Sequence, residues 1–322
     1  MLNDEAATLG GEDIVCGEAM HGDATHCDAD ATRCGFIAIV GRPNVGKSTL
    51  MNHLIGQKIS ITSRKPQTTR HQIKGVLTEG NNQYIFVDTP GFQNRYVNKL
   101  NNLLNQAVVD SLSHVDVVLY VVEAGIFNAG DEAVIPLLPT NGNVVLVVNK
   151  QDKVKDRHEL SKYISHVQAK LSFKQVVQLS AKHHTGIDAM LQLIKSYLPE
   201  SPFLYAEDQL TDRDSKFLVA EIIREKLFRH LGQELPYNVA VIIDEYSTKD
   251  PALTRISASI VVDKANQKGI VIGNNGAKLK TISTEARLDI ERMIDSKVFL
   301  QVWVKVKSGF AQTEKFLQQF KS

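Results

Sequence analysis

The chain has no apolar run long enough to cross a membrane, no disulfide framework and almost no net charge. Its longest apolar stretches, Val115 to Val122 (broken by Asp116) and Val144 to Val148, fall far short of the roughly 20 residues of a spanning helix. The protein is therefore expected to be soluble or at most peripheral to a membrane. Only three cysteines occur in 322 residues, Cys16, Cys27 and Cys34, with His21 and His26 nearby. Their count is odd and no C-x-x-C spacing is present, so reduced thiols are expected rather than disulfides or a zinc site, and reduced thiols fit the cytosol. The first stretch has neither a positive n-region nor an apolar h-region and does not read as a signal peptide. No internal repeat is present.

Near-neutrality conceals an uneven distribution. The formal net charge is +1, yet residues 1–33 hold eight acids against Arg33 alone, which gives −7 there and +8 over the rest. A basic body suits a polyanionic partner. The first 33 residues scatter Gly, Ala and Asp without periodicity and are expected to form an acidic, disordered extension. Hydrophobic residues make up 43% of the chain, an ordinary globular share, and the length suits two domains.

What the sequence does carry is Gly41-Arg42-Pro43-Asn44-Val45-Gly46-Lys47-Ser48, a full G-x-x-x-x-G-K-S octet. It follows the apolar run Phe36-Ile37-Ala38-Ile39-Val40, suited to a strand buried on both faces. Leu50, Met51, Leu54 and Ile55 come after it at helical spacing, closed by Gly56. Between strand and helix, such a loop turns backbone N–H groups toward β- and γ-phosphates. Lys47 adds a point charge and Ser48 offers a hydroxyl to Mg2+. Thr49 is counted with this set. The octet predicts a nucleoside triphosphate and magnesium.

Three further motifs specify which nucleotide. Asp88-Thr89-Pro90-Gly91 ends a predicted strand, where Asp88 can hold Mg2+ through water and the Gly91 N–H can meet a γ-phosphate. In Asn149-Lys150-Gln151-Asp152, the Asp152 carboxylate can accept from guanine N1–H and the exocyclic amine, donors that adenine does not present in that arrangement. Lys150 can lay its stem along the base and Asn149 can brace the loop. Ser180-Ala181-Lys182, after another strand, would bring backbone N–H groups to guanine O6. The Ser63 to Arg70 segment lies where a switch loop belongs, and Thr69, with Thr68 as the alternative, is expected to complete the Mg2+ shell. Phe92 follows Gly91, where Ras-like enzymes carry a glutamine that positions water, so slow intrinsic turnover is expected. Asn44 is a candidate to hold K+ against the phosphates. Lys47, Thr69, Gly91 and Asn44 are thus expected to act on the reaction, and Ser48, Thr69 and Asp88 to hold the metal.

From Gly35 to Leu198 strand and helix patterns alternate, which predicts a doubly wound α/β domain with a mostly parallel sheet. A hairpin is expected across Gly80-Asn81-Asn82, and helices over Leu160 to Leu171 and Ile187 to Leu198. Pro199-Glu200-Ser201-Pro202 ends the pattern, and Phe203 to Thr211 reads as a linker. Beyond it come a helix (Ser215 to His230), strands at Val239 to Tyr246 and Ile256 to Val262, a helix at Ala277 to Ile294, a strand at Val298 to Val306 and a last helix after Gly309. Before Ala277, Gly273-Asn274-Asn275-Gly276 forms a G-x-x-G loop after a short apolar helix end, the grip that KH domains use on single-stranded RNA. Leu279 and Ile282 of the following helix are expected to be buried. From Lys264 to Lys307 nine basic residues face four acids, a net +5 that suits phosphate.

At these residues the chain resembles the Era family of bacterial GTPases, over about residues 34–320. The likeness includes Gly41 to Ser48, Gln57 to His71, Asp88 to Gly91, Glu221-Ile222-Ile223-Arg224-Glu225-Lys226-Leu227, Leu235-Pro236-Tyr237, Val271 to Lys280 and Trp303 to Gly309. It implies an α/β P-loop GTPase domain over 34–200, a linker over 201–212 and an α+β type II KH domain over 213–322. It further implies a monomeric, Mg2+-dependent enzyme cycling between GTP and GDP. The KH domain would bind the 3′ end of 16S rRNA through Ile272, Gly273, Asn274, Asn275, Gly276, Lys278 and Lys280, and the protein would assist 30S ribosomal subunit assembly. A cytoplasmic location with peripheral inner-membrane association is also implied. Asn275 stands where the family usually has Lys, and Gln151 where it has an aliphatic residue. Competing readings are a tRNA-modification GTPase, for which the chain lacks a cofactor domain, a peripheral-membrane signalling GTPase, and an RNA-binding module that uses nucleotide only for stability.

Overall fold

The structure, a computed structural model, describes residues 31–63, 65, 68–92, 99–232 and 239–309. Strand β1 (Arg33–Val40) sends alternate side chains to opposite faces and is apolar on both. Ile37 and Ile39 enter one core with helices α1 (Lys47–Ile55) and α5 (Ile187–Lys195). Ala38 and Val40 enter another with α2 (Lys99–Leu112) and α4 (Arg157–Gln168). Helices on both faces make the sheet doubly wound. Its six strands run in the order β2-β3-β1-β4-β5-β6, with β2 (Ile73–Glu79), β3 (Asn82–Asp88), β4 (Val117–Glu123), β5 (Asn143–Asn149) and β6 (Gln175–Gln178). Only β2 is antiparallel to its neighbour.

The hairpin turn is tighter than expected, because Asn82 pairs with Glu79 and belongs to β3. Helices α4 and α5 stop earlier, at Gln168 and Lys195. A short helix not foreseen, α3 (Ala129–Glu132), is held by a capping box between Asn128 and Asp131. The end of the linker, residues 210–212, is strapped along the free edge of β2. The Val76 N–H donates to Leu210 O at 2.9 Å, the Thr211 hydroxyl donates to Lys74 O at 2.7 Å, and Gly75 bridges Thr211. The strap covers hydrogen-bonding groups that an open edge would present to another chain.

The second core lies under a three-stranded sheet, β7 (Val239–Asp250), β8 (Leu253–Val262) and β9 (Val298–Val306), antiparallel between β7 and β8 and parallel between β8 and β9. Helices α6 (Ser215–His230), α7 (Ala265–Ile272) and α8 (Ala277–Ile294) all contribute to that core. Helix, two strands, helix pair and strand is the order expected of a type II KH domain. Leu218 of α6 also joins the first core, so α6 touches both. Leu279 is only partly buried, whereas Ile282 is fully so. No helix among the described residues is long and apolar enough to cross a membrane. Cys16, Cys27, most of the acidic extension, Leu235 to Tyr237 and the helix expected after Gly309 lie outside the described residues.

Candidate active site and nucleic-acid interface

Helix α1 begins where the phosphate loop ends, at Gly46, which has φ 106°. A Cβ there would stand 2.3 Å from Asn149 Nδ2, so both the left-handed backbone and the approach of β5 require glycine. Lys47 is nearly buried and its ammonium donates to Gly41 O at 2.9 Å and Arg42 O at 3.0 Å. Burial pulls its pKa down to about 8, partly offset by the Asp88 charge. Pro43, Asn44, Gly46, Lys47, Ser48, Thr49, Thr68, Thr69, Gly91 and Lys150 line one cavity of about 150 Å3. Val45 is instead a core residue, and the Arg42 side chain turns away to pair with Asp131 at 2.9 Å and Glu123 at 3.4 Å.

Asp88, at the end of β3, is fully buried. Its Oδ2 accepts from Ser60 Oγ at 2.7 Å, Ser48 Oγ at 2.9 Å and Thr69 Oγ1 at 3.3 Å, and the Ser48 and Thr69 hydroxyls are 2.9 Å apart. Burial pushes the Asp88 carboxyl pKa up, against the opposing hydroxyls and Lys47. The Thr68 hydroxyl points elsewhere, donating to Lys65 O at 2.7 Å. Of the two alternatives, Thr69 is the one brought to Asp88. These all-oxygen donors suit a hard divalent cation, and Asp88 Oδ1 is buried with no hydrogen-bond partner among the described residues. The group therefore fits Mg2+. Ser60 was not foreseen as a site residue: it lies in the Gln57 to His71 stretch but outside the nucleotide-binding motifs, and its place 28 residues from Asp88 in a loop folded back on β3 brings it there. Thr89, also buried, donates to Ile39 O at 2.8 Å, and Pro90 beside it is buried too. Phe92 belongs to the core with Ala38 and Val40, 8% exposed.

Asn149 ties the loops together. Its Nδ2 donates to Val45 O at 2.8 Å, while its Oδ1 accepts from Lys150 N at 2.7 Å and Ala181 N at 2.9 Å. Lys150 Nζ donates to Asn44 O at 2.6 Å and pairs with Glu123 at 2.8 Å. Asp152 accepts from Ser180 Oγ at 2.6 Å, which foremost holds its carboxyl below the usual range. Asp152 and Ser180 line a second cavity, and Lys182 is exposed.

The G-x-x-G loop joins α7 to α8. Gly273 has φ 74°, and a Cβ on it would stand 2.6 Å from Lys278 Cβ, which closes the loop tightly on α8. Asn275 takes φ 50°, a left-handed conformation that Asn tolerates better than Lys. Asn274, Asn275 and Lys280 are exposed, and Ile272, Gly273, Gly276 and Lys278 half-buried.

Comparison with known proteins follows the same division. The 50S ribosome-binding GTPase family matches residues 36–150, and the KH domain family matches 234–309. GTPase Era of Chromobacterium violaceum is 56% identical over 287 residues, covering 89% of this chain and 97% of that protein. GTPase Era of Yersinia pestis is 47% identical over 90% of this chain and 96% of its own length. A crystal structure of Aquifex aeolicus Era bound to GDP·AlF4− superposes with a TM-score of 0.84 at 35% identity, covering 90% of this chain and 99% of that one. A crystal structure of Era with MgGDPNP and nucleotides 1506–1542 of 16S ribosomal RNA gives the same score and identity, covering 90% and 98%.

Proposed function

The chain belongs to the Era family of GTPases, and from that membership we propose that it is a GTP-driven switch that binds the 3′ end of 16S rRNA and assists 30S subunit assembly. The observation that carries the switch is the gathering of Ser48, Thr69 and Asp88 within hydrogen-bonding reach. Ser48 and Thr69 come from the phosphate loop and the switch loop, so a triphosphate complex unites segments that a diphosphate complex leaves independent. Mg2+, when bound, neutralises charge developing on the phosphates. Around it, Lys47 holds phosphate oxygens, the Gly91 N–H meets the γ-phosphate, and Asn149, Lys150, Asp152 and the Ser180 to Lys182 loop select guanine. Residues 34–200 form the catalytic domain and 213–322 the KH domain, whose Ile272 to Gly276 loop, with Lys278 and Lys280, grips the RNA backbone.

With Phe92 committed to the core, turnover is slow, and Asn44 is a candidate to hold K+ in its place. Equal hydrolysis rates in potassium and sodium would retire that role. The basic excess also suits anionic lipid, so peripheral contact with the inner membrane belongs to the same reading and is checked by vesicle co-sedimentation. The main test is crosslinking of the GTP-analogue-bound protein to cellular RNA, with Gly276→Asp as control. Enrichment of the small-subunit rRNA 3′ end, lost in the variant, is expected. Recovery of tRNA instead would favour a modification enzyme.

A further inference from the structure

Among the charged side chains that helix α6 buries are Glu221 and Arg224, 5% and 4% exposed. Burying charge is costly unless it is paired and hydrogen-bonded. Arg224 meets most of that demand with a fork, Nε donating to Glu221 Oε1 at 2.7 Å and Nη2 to Oε2 at 2.6 Å, while its buried Nη1 has no hydrogen-bond partner among the described residues. Burial alone would raise the Glu221 pKa, but Arg224 outweighs it and the carboxyl is held below its ordinary value. The guanidinium lies over the Phe228 ring at 5.2 Å, with Arg70 over the same ring at 5.8 Å. Ring and carboxylate together leave Arg224 one orientation.

That orientation has a target in the other domain. Arg224 Nη2 also donates to the main-chain carbonyl of Thr68 at 2.6 Å. Three residues earlier, the Lys65 ammonium donates to the Phe228 carbonyl at 2.6 Å and to those of Leu231 and Gly232, capping the C-terminal end of α6. The next residue after Thr68 is Thr69, whose hydroxyl is 2.9 Å from Ser48 Oγ. One peptide unit is thus held from both sides, by α6 at the Thr68 carbonyl and by the metal-binding group at the Thr69 hydroxyl.

We propose that Arg224, oriented by Glu221, is a positioning residue for GTP hydrolysis: it fixes the Thr68 carbonyl and so aims the Thr69 hydroxyl at the metal-binding group on Asp88. The proposal rests on the assignment of Thr69 above. It makes the GTPase site incomplete without a residue of the RNA-binding half, so a movement of α6 reaches the metal-binding group through the Thr68 carbonyl. Displacements of about 1 Å at such a site cost on the order of 10²-fold in rate.

The test uses the full chain with Arg224→Gln, Arg224→Lys, Glu221→Gln and Thr69→Ala. Measured are kcat and KM for GTP, the Mg2+ needed for half-maximal binding of a fluescent-labelled GTP analogue, the affinity for labelled GDP, and hydrogen exchange of residues 58–72 in the analogue complex. Arg224→Gln is expected to lower kcat by about tenfold or more, raise the Mg2+ requirement comparably and leave GDP affinity within about twofold, because Thr69 engages only the triphosphate state. Amides 68–72 should exchange faster. Arg224→Lys, which keeps the charge but not the fork, should recover only part of the loss. If Arg224→Gln does not fold, Glu221→Gln, with a weaker hold on the guanidinium, should show the same pattern at about threefold. Unchanged kcat and Mg2+ requirement, or equal losses of GDP and GTP affinity, would overturn the proposal. A silent Thr69→Ala removes the assignment of Thr69 and this relay with it. An affected Thr69→Ala beside a silent Arg224→Gln overturns the relay alone.

Discussion

Asp88 takes three hydroxyl hydrogen bonds on one oxygen, and one of the three donors, Ser60, lies outside the nucleotide-binding motifs. Hydrogen bonds to a buried charged group are worth about 1.5–3 kcal/mol. Ser60→Ala is therefore expected to destabilise the nucleotide-free protein by about that amount in urea unfolding, well beyond an exposed Ser→Ala change. A midpoint equal to wild type would show that the Ser60 hydroxyl does not serve Asp88. Phe92 teaches the complementary lesson. Its position after Gly91 is legible as a missing glutamine, but its packing with Ala38 and Val40 gives it a positive role in that core. Asn149 was legible as a brace, although the Gly46 contact that makes the brace so close was not.

Among the elements, the segment after the first sheet departs most from its sequence reading. Prolines and the loss of periodicity mark a linker correctly, yet its last residues, 210–212, are bonded to β2. Gln83, in the interior of β3, does the stapling. Its Oε1 accepts from Leu204 N at 2.9 Å and Tyr205 N at 3.0 Å, and its Nε2 donates to Tyr205 O at 2.9 Å. A polar residue with no exposure is informative in a structure and silent in a sequence, where Gln83 reads as the polar edge of an alternating strand. Gln83→Ala leaves three linker groups unpaired and is expected to cost about 2–4 kcal/mol. Limited proteolysis should then cut within residues 201–212, where wild type resists. Persistence of that resistance would mean the β2 bonds alone hold the linker.

At the scale of the whole molecule, the contact between the two halves carries a pH dependence. His71 sits against Phe217 of α6, ring centroids 5.2 Å apart, with Glu221, Arg224, Arg213 and Arg70 acting on it electrostatically. Burial foremost, with the three arginines, lowers its pKa to about 4 despite the Glu221 charge. The folded pKa lies below the unfolded value of about 6.5, so the unfolded chain binds the proton first and stability falls as pH drops from about 6.5 toward 4. The contribution at pH 5 is a loss of about 2 kcal/mol. Urea midpoints measured between pH 7.5 and 5 should fall in wild type and fall less in His71→Gln. Parallel slopes would remove His71 as the cause. The carboxylates of Asp289 and Glu123 have pKa values of about 2: burial opposes the drop, but Lys58 and Lys226 at Asp289, and Lys150 and Lys153 at Glu123, prevail. Their stabilisation is lost only below the unfolded carboxylate range, so they do not mask the histidine.

The sequence by itself determined the nucleotide loop, the order of the guanine motifs, the G-x-x-G turn and most helices and strands, because each depends on neighbours along the chain. Helix α8 and strand β9 begin and end where their periodicity does. Tertiary structure alone decided which side chains serve those motifs. Ser60 reaches Asp88 across 28 residues, Gln83 reaches Tyr205 across 122, and Arg224 reaches the Thr68 carbonyl across 156. A hydroxyl, an amide or a guanidinium has no local period that announces its partner. Its value is set by burial and by the group it meets there, and both arise only when the sheets and helices have packed.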